Sequence, residues 1–403
     1  MTSRAYRTEL DPNNVQGTAL LRHAGAARFA YNWGLRRKIE ARERGEKNPT
    51  AIDLHRALNA VKATDFPWMY EVSKCAPQEA LRNLDRAFDN FFRRCRSGAA
   101  RKGFPRFKSR KRGVGSFSLT GAIHVEDGAV RLPRLGRLRL KERSYLPAGA
   151  KILRATVSER AGRWFVSVLV EEDVTLPLAS DRAIGVDVGI ANLATLSDGT
   201  VFENPRALRG AERRLRHLQR SVSRKVKGSA NRRKAVRRLA RQHYRVSCVR
   251  RDAILKCATA IAKSARVVGI ESLNVAGMMR NHCIAGALGD AGVAELLCCV
   301  RYMVAWRGGT TVEADRFYAS SKTCSACGLV RDHLALSERV FRCECGNEID
   351  RDLNASINLE RMAASSAATA CGGDVRPKAE VVPLDAAPTK QEPNAIEGVV
   401  LDG

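Results

Sequence analysis

Acidic side chains are scarce in this 403-residue chain: 42 aspartates and glutamates stand against 70 lysines and arginines, a formal net charge of +28. Such a deficit is far from the globular average and implies a polyanionic partner, nucleic acid before all others. A signal-peptide core is missing from the opening segment, MTSRAYRTEL, and no apolar run reads as long enough to cross a bilayer. A cytoplasmic protein with no membrane partner is therefore expected. A disulfide framework is missing too. Of the twelve cysteines, Cys75, Cys95, Cys248, Cys257, Cys283 and Cys371 are isolated and Cys298 and Cys299 adjoin, which reads as scattered reduced thiols. No internal repeat is visible.

What is present is enough apolar content, 44%, for real cores, in a chain too long for one of them. Residues 20–41 and 76–95 carry apolar side chains at helical spacing, with Leu81, Leu84, Phe88, Phe91 and Phe92 on one side of the second. A basic stretch, RKGFPRFKSRKRG, follows at 101–113, and then a β-rich segment whose second half, KILRATVSERAGRWFVSVLVEE, reads as a hairpin. Residues 174–182 read as a linker. Beyond it, AIGVDVG is a short buried strand, and LATLSDGTVFE a hairpin turning at Asp198-Gly199. Two basic helices are expected over 206–246, broken at 228–231, then an apolar helix at 251–264. Strands are expected at 265–271 and 309–315. The Ala-, Ser- and Gly-rich tail from about 363 is expected to be disordered.

Three carboxylates stand where charge is costly. Asp187 ends a buried-type strand, Glu271 ends another, and Asp352 opens a helix. Neither strand has a lysine or arginine in its core, so a bound cation is the natural partner. Mg²⁺ takes oxygen ligands, and two such ions about 3.5–4 Å apart suit phosphodiester hydrolysis. The flanking Gly185 and Gly189 allow backbone or substrate to approach closely. Asp350 lies two residues from Asp352, a spacing that puts the two on different helix faces. It is assigned to capping the helix and Asp352 to the metal.

The cysteine cluster is a second kind of site. Cys324 and Cys327 have the C-x2-C spacing of a zinc knuckle, whereas Cys343 and Cys345 are separated by one residue only, and a glycine follows each pair. Four thiolates make a closed structural site holding one Zn²⁺. The shortened second pair leaves two readings open: strained binding by both thiolates, or replacement of one by His333.

Two basic segments read as nucleic-acid contacts. In the first, Arg101, Lys102, Arg106, Lys108, Arg110 and Lys111 surround Phe104 and Phe107, cations interleaved with rings that could stack on bases. In the second, Arg213, Arg220, Arg224, Lys225, Arg233 and Lys234 belong to helices charged on both faces. The bland alternatives are a linker packed by its phenylalanines and a solvated helical hairpin.

The segments YRTELDPN, ARFAYNWGL, KGFPRFKSRK, IGVDVGIANLATLSDG, VVGIESLNVAGMMRN, SSKTCSACG and IDRDLNASINL together resemble the TnpB/OrfB proteins of bacterial insertion sequences, relatives of type V CRISPR effectors. The resemblance implies an α/β multidomain protein. Its parts would be an RNase H-like (RuvC) core with a zinc-ribbon insertion, a helical recognition lobe and a β-barrel wedge domain. The implied boundaries are 1–20 and 113–178 for the wedge, 21–112 for the lobe, 179–320 and 349–362 for the core, 321–348 for the zinc insertion and 363–403 for the tail. It implies an RNA-guided, Mg²⁺-dependent DNA endonuclease, with a guide RNA from the transposon end and target DNA beside a short motif as partners. The sequence does not give the oligomeric state, and a monomer is the favoured expectation. Asp187, Glu271 and Asp352 match the family's catalytic carboxylates. The chain departs from the family in its shortened cysteine pair and in RFYASSK, where Arg-Trp-Phe-Pro-Ser-Ser-Lys is commoner. Two other activities fit the same residues: strand transfer by a transposase in the strict sense, and nucleic-acid binding by a catalytically silent regulator. The knuckle itself predicts one zinc per chain in protein purified without chelator. Elemental analysis finding none would remove that site.

Overall fold

The computed structural model describes residues 2–99, 101–147, 149–172, 179–335 and 338–370, and the chain divides into two compact units at 174/175. Most of the expected linker at 174–182, and the tail beyond 370, lie outside the described residues.

In the first unit, strand β1 (Thr2–Leu10) leads into three helices, α1 (Asn14–Glu43), α2 (Ala51–Asp65) and α3 (Cys75–Arg96). Asn13 with Gln16, and Thr50 with Asp53, form capping boxes that begin α1 and α2. The helices pack through Leu35, Leu54, Leu58, Leu81 and Leu84, all buried. Gly34 lets α1 and α3 close: a Cβ there would sit 2.6 Å from a Leu81 methyl. Seven of the ten N-terminal residues carry a charge or a hydroxyl, in runs with no strand-like alternation, and their partner is far away in sequence. β1 pairs antiparallel with β7 (Arg163–Glu172), in a sheet ordered β1-β7-β6-β2 with β6 at Lys151–Arg160 and β2 at Ser116–Leu119. The expected hairpin is β6–β7, turning at Ala161-Gly162 with both residues at positive φ. Strands β3 (His124–Glu126), β4 (Ala129–Leu132) and β5 (Gly136–Arg139) form a separate meander, bridged to β1 at Leu10 and Leu140.

The second unit is built on a mixed five-stranded sheet. Its strands are β8 (Ala183–Asp187), β9 (Asn192–Leu196), β10 (Val201–Glu203), β11 (Val267–Glu271) and β12 (Thr310–Ala314), in the order β10-β9-β8-β11-β12. β8, β9 and β10 run antiparallel, whereas β8, β11 and β12 are parallel. Helix α4 (Ala207–Ser223) is followed by α5 (Ala230–Ser264). The second basic helix and the expected apolar helix at 251–264 are thus one helix of 35 residues. The sequence from 230 to 264 contains no glycine or proline to end it. Short helices α6 (Val275–Met278), α7 (His282–Ala291) and α8 (Val293–Trp306) come next. Contrary to the expectation of no spanning-length run, residues 282–306 are apolar and long enough to cross a membrane. In this fold they form two helices broken at Gly292, φ +73, and Leu288, Leu296, Leu297, Val300 and Val304 enter the core under the sheet.

After a small hairpin of β13 (Val340–Arg342) and β14 (Glu348–Asp350), the last helix α9 (Arg351–Ala370) crosses the sheet. It continues eight residues past the expected end at 362, because 363–370 is rich in alanine and lacks a breaker. Its seat is a pair of glycines directly in register, Gly185 on β8 and Gly269 on β11. A Cβ on Gly185 would lie 1.8 Å from the Ser356 carbonyl oxygen, and one on Gly269 2.3 Å from that of Leu359. The helix backbone therefore lies on bare strand backbone. Gly185→Ala should cost about 3 kcal/mol in denaturant unfolding, through overpacking against a backbone that cannot turn aside. Exposed Gly286 in α7 has nothing within 4 Å of a new Cβ, so Gly286→Ala should gain about 0.5–1 kcal/mol. Equal effects at the two positions would refute the close seating.

Candidate active site and zinc knuckle

The parallel register sets two of the carboxylates side by side. Val186 pairs with Ile270, so the next residues, Asp187 and Glu271, leave the same end of neighbouring strands. Asp352, in the first turn of α9, is carried over that end by the glycine seat. Burial, then the Glu271 and Asp352 carboxylates, hold the Asp187 carboxyl well above the usual carboxylate range, with Arg351 pulling the other way. Asp352 is also raised, by burial and then by Asp350, against Arg339 and Arg351. Among the described residues no ion pair involves any of the three. Asp350 takes the capping role expected of it: its Oδ1 accepts from the backbone N–H of Asp352 at 2.9 Å and of Leu353 at 3.0 Å.

Sequence reasoning missed the residues that hold this arrangement. The buried Ser320 hydroxyl donates to Glu271 Oε1 at 2.6 Å. Asn358, buried on α9, donates to the carbonyls of Ser320 (2.8 Å) and Thr323 (2.7 Å). Asn354, one turn earlier and fully buried, donates to the same Thr323 carbonyl at 2.7 Å and accepts from Ser325 N–H at 2.8 Å. The segment 320–325 is thereby clamped to α9, with Glu271 attached to its first residue and Cys324 within it. The signal was readable: two asparagines at i,i+4 inside a helix are poor helix formers that need a reason.

The four cysteines do come together. Their sulfurs lie within 4.8 Å of one another, Cys324 facing Cys345 at 3.7 Å and Cys327 facing Cys343 at 3.6 Å. Gly328 and Gly346, at φ +81 and +86, turn each knuckle back. Gly328 N–H then donates to the Cys324 carbonyl and Gly346 N–H to that of Cys343. The shortened pair still delivers both thiols, and exposed His333 is not part of the group. Burial opposes ionisation of Cys324, yet donation from backbone N–H groups, including that of Ala326, and from the Asn347 amide brings it down to about 6. Against donation from backbone N–H groups, hydrogen bonding among the sulfurs pushes Cys343 up to about 12 and raises Cys345, so one thiolate sits among held thiols, and four sulfurs this close together fit Zn²⁺. The knuckle runs through β13–β14 straight into Asp350 and α9.

The basic residues divide between the units. Arg101, Lys102, Arg106, Lys108, Arg110 and Lys111 are exposed. Phe104 packs one side of its ring edge-on against Phe88 and Phe91 yet is 40% exposed, and Phe107 is 48% exposed. The Lys108 backbone is held by both polar atoms of the Asn32 side chain, and its ammonium lies over the Tyr31 ring. In the second unit Arg213, Arg220, Arg224, Arg233 and Lys234 are exposed and Lys225 is half-buried. Helix α4 buries only Leu215 and Val222. Buried Asp290 anchors its start, accepting from Leu208 and Arg209 N–H at 2.7 and 3.0 Å while Arg250 pairs with it at 3.2 Å.

A family described as "Probable transposase" (OrfB of IS605) matches residues 165–282, which include Asp187 and Glu271. A protein of Streptomyces pristinaespiralis named "Putative RNA-guided DNA endonuclease" is 39% identical over 97% of this chain and 96% of its own length. This chain belongs to the OrfB/TnpB family. A second relative of similar name, InsQ of Escherichia coli K12, is 32% identical, with 97% of each chain covered. The "Cas12f1-like, TNB domain" matches residues 294–359 of this OrfB chain, from α8 through the four cysteines to the first turns of α9. A "Helix-turn-helix domain" matches 1–47, where the structure has one strand and one helix. The cryo-EM structure of CasPhi-2 (Cas12j) bound to crRNA covers 90% of the chain at 11% identity, with a TM-score of 0.45, a likeness too slight to carry weight.

The raised Asp187 has a measurable consequence. A carboxyl raised in the folded state favours folding while protonated, and that contribution is lost as pH rises through its folded value. In magnesium-free buffer Asp187→Asn should melt above the wild type at mildly alkaline pH, with the gap closing on acidification. A gap that widens in acid would contradict the assigned environment.

Proposed function

We propose that this OrfB protein is an RNA-guided DNA endonuclease, dependent on Mg²⁺, that cuts DNA beside a short motif. Its guide RNA would come from the transposon end, and it would act as a monomer. The observation that carries the reading is that β8, β11 and α9 bring Asp187, Glu271 and Asp352 to one end of the sheet, where burial and then the other two acids raise Asp187; among the described residues only the four cysteines, and not these acids, already lie as close together as the ligands of one ion. The names of the two relatives above support it. The sheet order, three antiparallel strands extended by two parallel ones, supports an RNase H-like (RuvC) core, with the cysteine segment as its zinc-binding insertion. The union of β1 with β2, β6 and β7 supports a wedge domain interrupted by the helical lobe α1–α3.

The donor set fits hard cations: three carboxylates, two of which raise the third, with Arg351 near but no ion pair to any of them among the described residues. Bound there, two Mg²⁺ ions would supply an activated water and stabilise the leaving oxygen of a phosphodiester. Asp187, the acid that both others act on, would be one of the ligands. Glu271 is kept in one orientation by the Ser320 hydroxyl. Asp352 is freed from capping by Asp350, which does that work in its place. The exposed cations of α4, α5 and the 101–111 segment would hold phosphate backbones, leaving sequence to be read by base pairing.

The test is cleavage by the full chain carrying its copurified RNA. Wild type should cut a guide-matched DNA in Mg²⁺, and Asp352→Ala should abolish cutting while still binding RNA and DNA. An Asp352→Ala protein that cuts, or a strand-joined product formed without RNA, would overturn the reading.

A further inference from the structure

The segment between β12 and the cysteine knuckle starts and ends at the same carboxylate. Ala314 pairs with Glu271 in the β11–β12 register, and six residues later the Ser320 hydroxyl donates to Glu271. The intervening turn is pinned: Asp315 accepts from Phe317 N–H through Oδ1 (2.8 Å) and from Tyr318 N–H through its carbonyl (3.0 Å). The Tyr318 hydroxyl donates to the Asn358 carbonyl on α9 at 3.2 Å. At the apex stands Phe317, three residues from either anchor and so within about 11 Å of both by chain length. It is 87% exposed, the most exposed large apolar side chain among the described residues.

Single exposed apolar residues are ordinary on protein surfaces. This one differs in its company. Arg316 lies beside the ring at 5.9 Å, and Arg361 is close enough to Tyr318 to act on its hydroxyl. Both arginines are exposed, and neither forms an ion pair among the described residues. An exposed ring on a pinned turn, with one guanidinium beside it and a second near the following residue, matches an unpaired nucleotide, with a π face for the base and cations for the flanking phosphates. An apolar protein partner would find no use for the guanidiniums. We propose that Phe317 is a stacking platform for an unpaired base of the DNA strand held at the carboxylates, with Arg316 and Arg361 meeting its phosphates. The assignment of that strand as substrate rests on the nuclease reading above.

The test uses the full chain with its copurified RNA, in magnesium-free buffer so that nothing is cut. Phe317→Trp places a reporter at the apex, its emission obtained by difference from the parent protein. Saturating octathymidylate should quench that emission and shield it from acrylamide, whereas an abasic octamer with the same phosphates should not. In Mg²⁺, Phe317→Ala should slow cutting of a guide-matched DNA about tenfold, with Phe317→Trp restoring it. A tryptophan equally open with and without octathymidylate, or equally shielded by the abasic octamer, would overturn the proposal. Shielding by octathymidylate in a protein that cuts no DNA would leave the stacking site standing and remove the nuclease reading instead.

Discussion

Two hydrogen atoms, standing where Gly185 and Gly269 lack a side chain, decide the geometry of the second unit. The pair is in register on adjacent parallel strands, and it lets the backbone of α9 rest on the backbone of the sheet. A helix normally stands off a sheet by the thickness of two side-chain layers. Here that thickness is gone at one point, near the end where β8 and β11 deliver their acids. The first turn of α9 therefore arrives at that end of the sheet, near enough for Asp352 to act on Asp187. The remaining helix face is chosen to suit, with Ala355, Ser356, Leu359 and Ala363 buried against the sheet.

The same helix explains why a sulfur knuckle is followed within a few residues by two aspartates. Oxygen and sulfur side chains stand at separate ends of one mechanical unit. The cysteines fold the segment 320–346 on itself, and the two buried asparagines lock its beginning to α9. Ser320 then reaches Glu271 from that locked segment. Whatever fixes the sulfurs in place is felt along these bonds at the carboxylates.

Much of this was legible because local signals agreed with the fold. Asp198-Gly199 and Ala161-Gly162 turn where turn residues stand, and the short apolar strands around Asp187 and Glu271 are strands. The C-x2-C spacing and the glycines after each cysteine pair gave the knuckle. What was not legible depends on distant partners. β1 is a strand because β7 pairs with it more than 150 residues later. Helix α2 buries only Leu54 and Leu58, too thin a stripe to be read as a period. Ser320 gains its meaning only from Glu271 across the sheet, and Asp290 only from the start of α4. The length of α5 was misread because a change from basic to apolar composition looks like a boundary, although nothing in the backbone ends there.

That unbroken helix makes the second unit a lever. At 1.5 Å per residue, 35 residues make a rod about 50 Å long. Its leading turns bear the exposed cations Arg233 and Lys234, while Ile254, Cys257, Ala258 and Ile261 near its other end form part of the wall behind β11. With no hinge along the shaft, whatever is gripped at one end cannot tilt without leaning on the layer that supports Glu271 at the other.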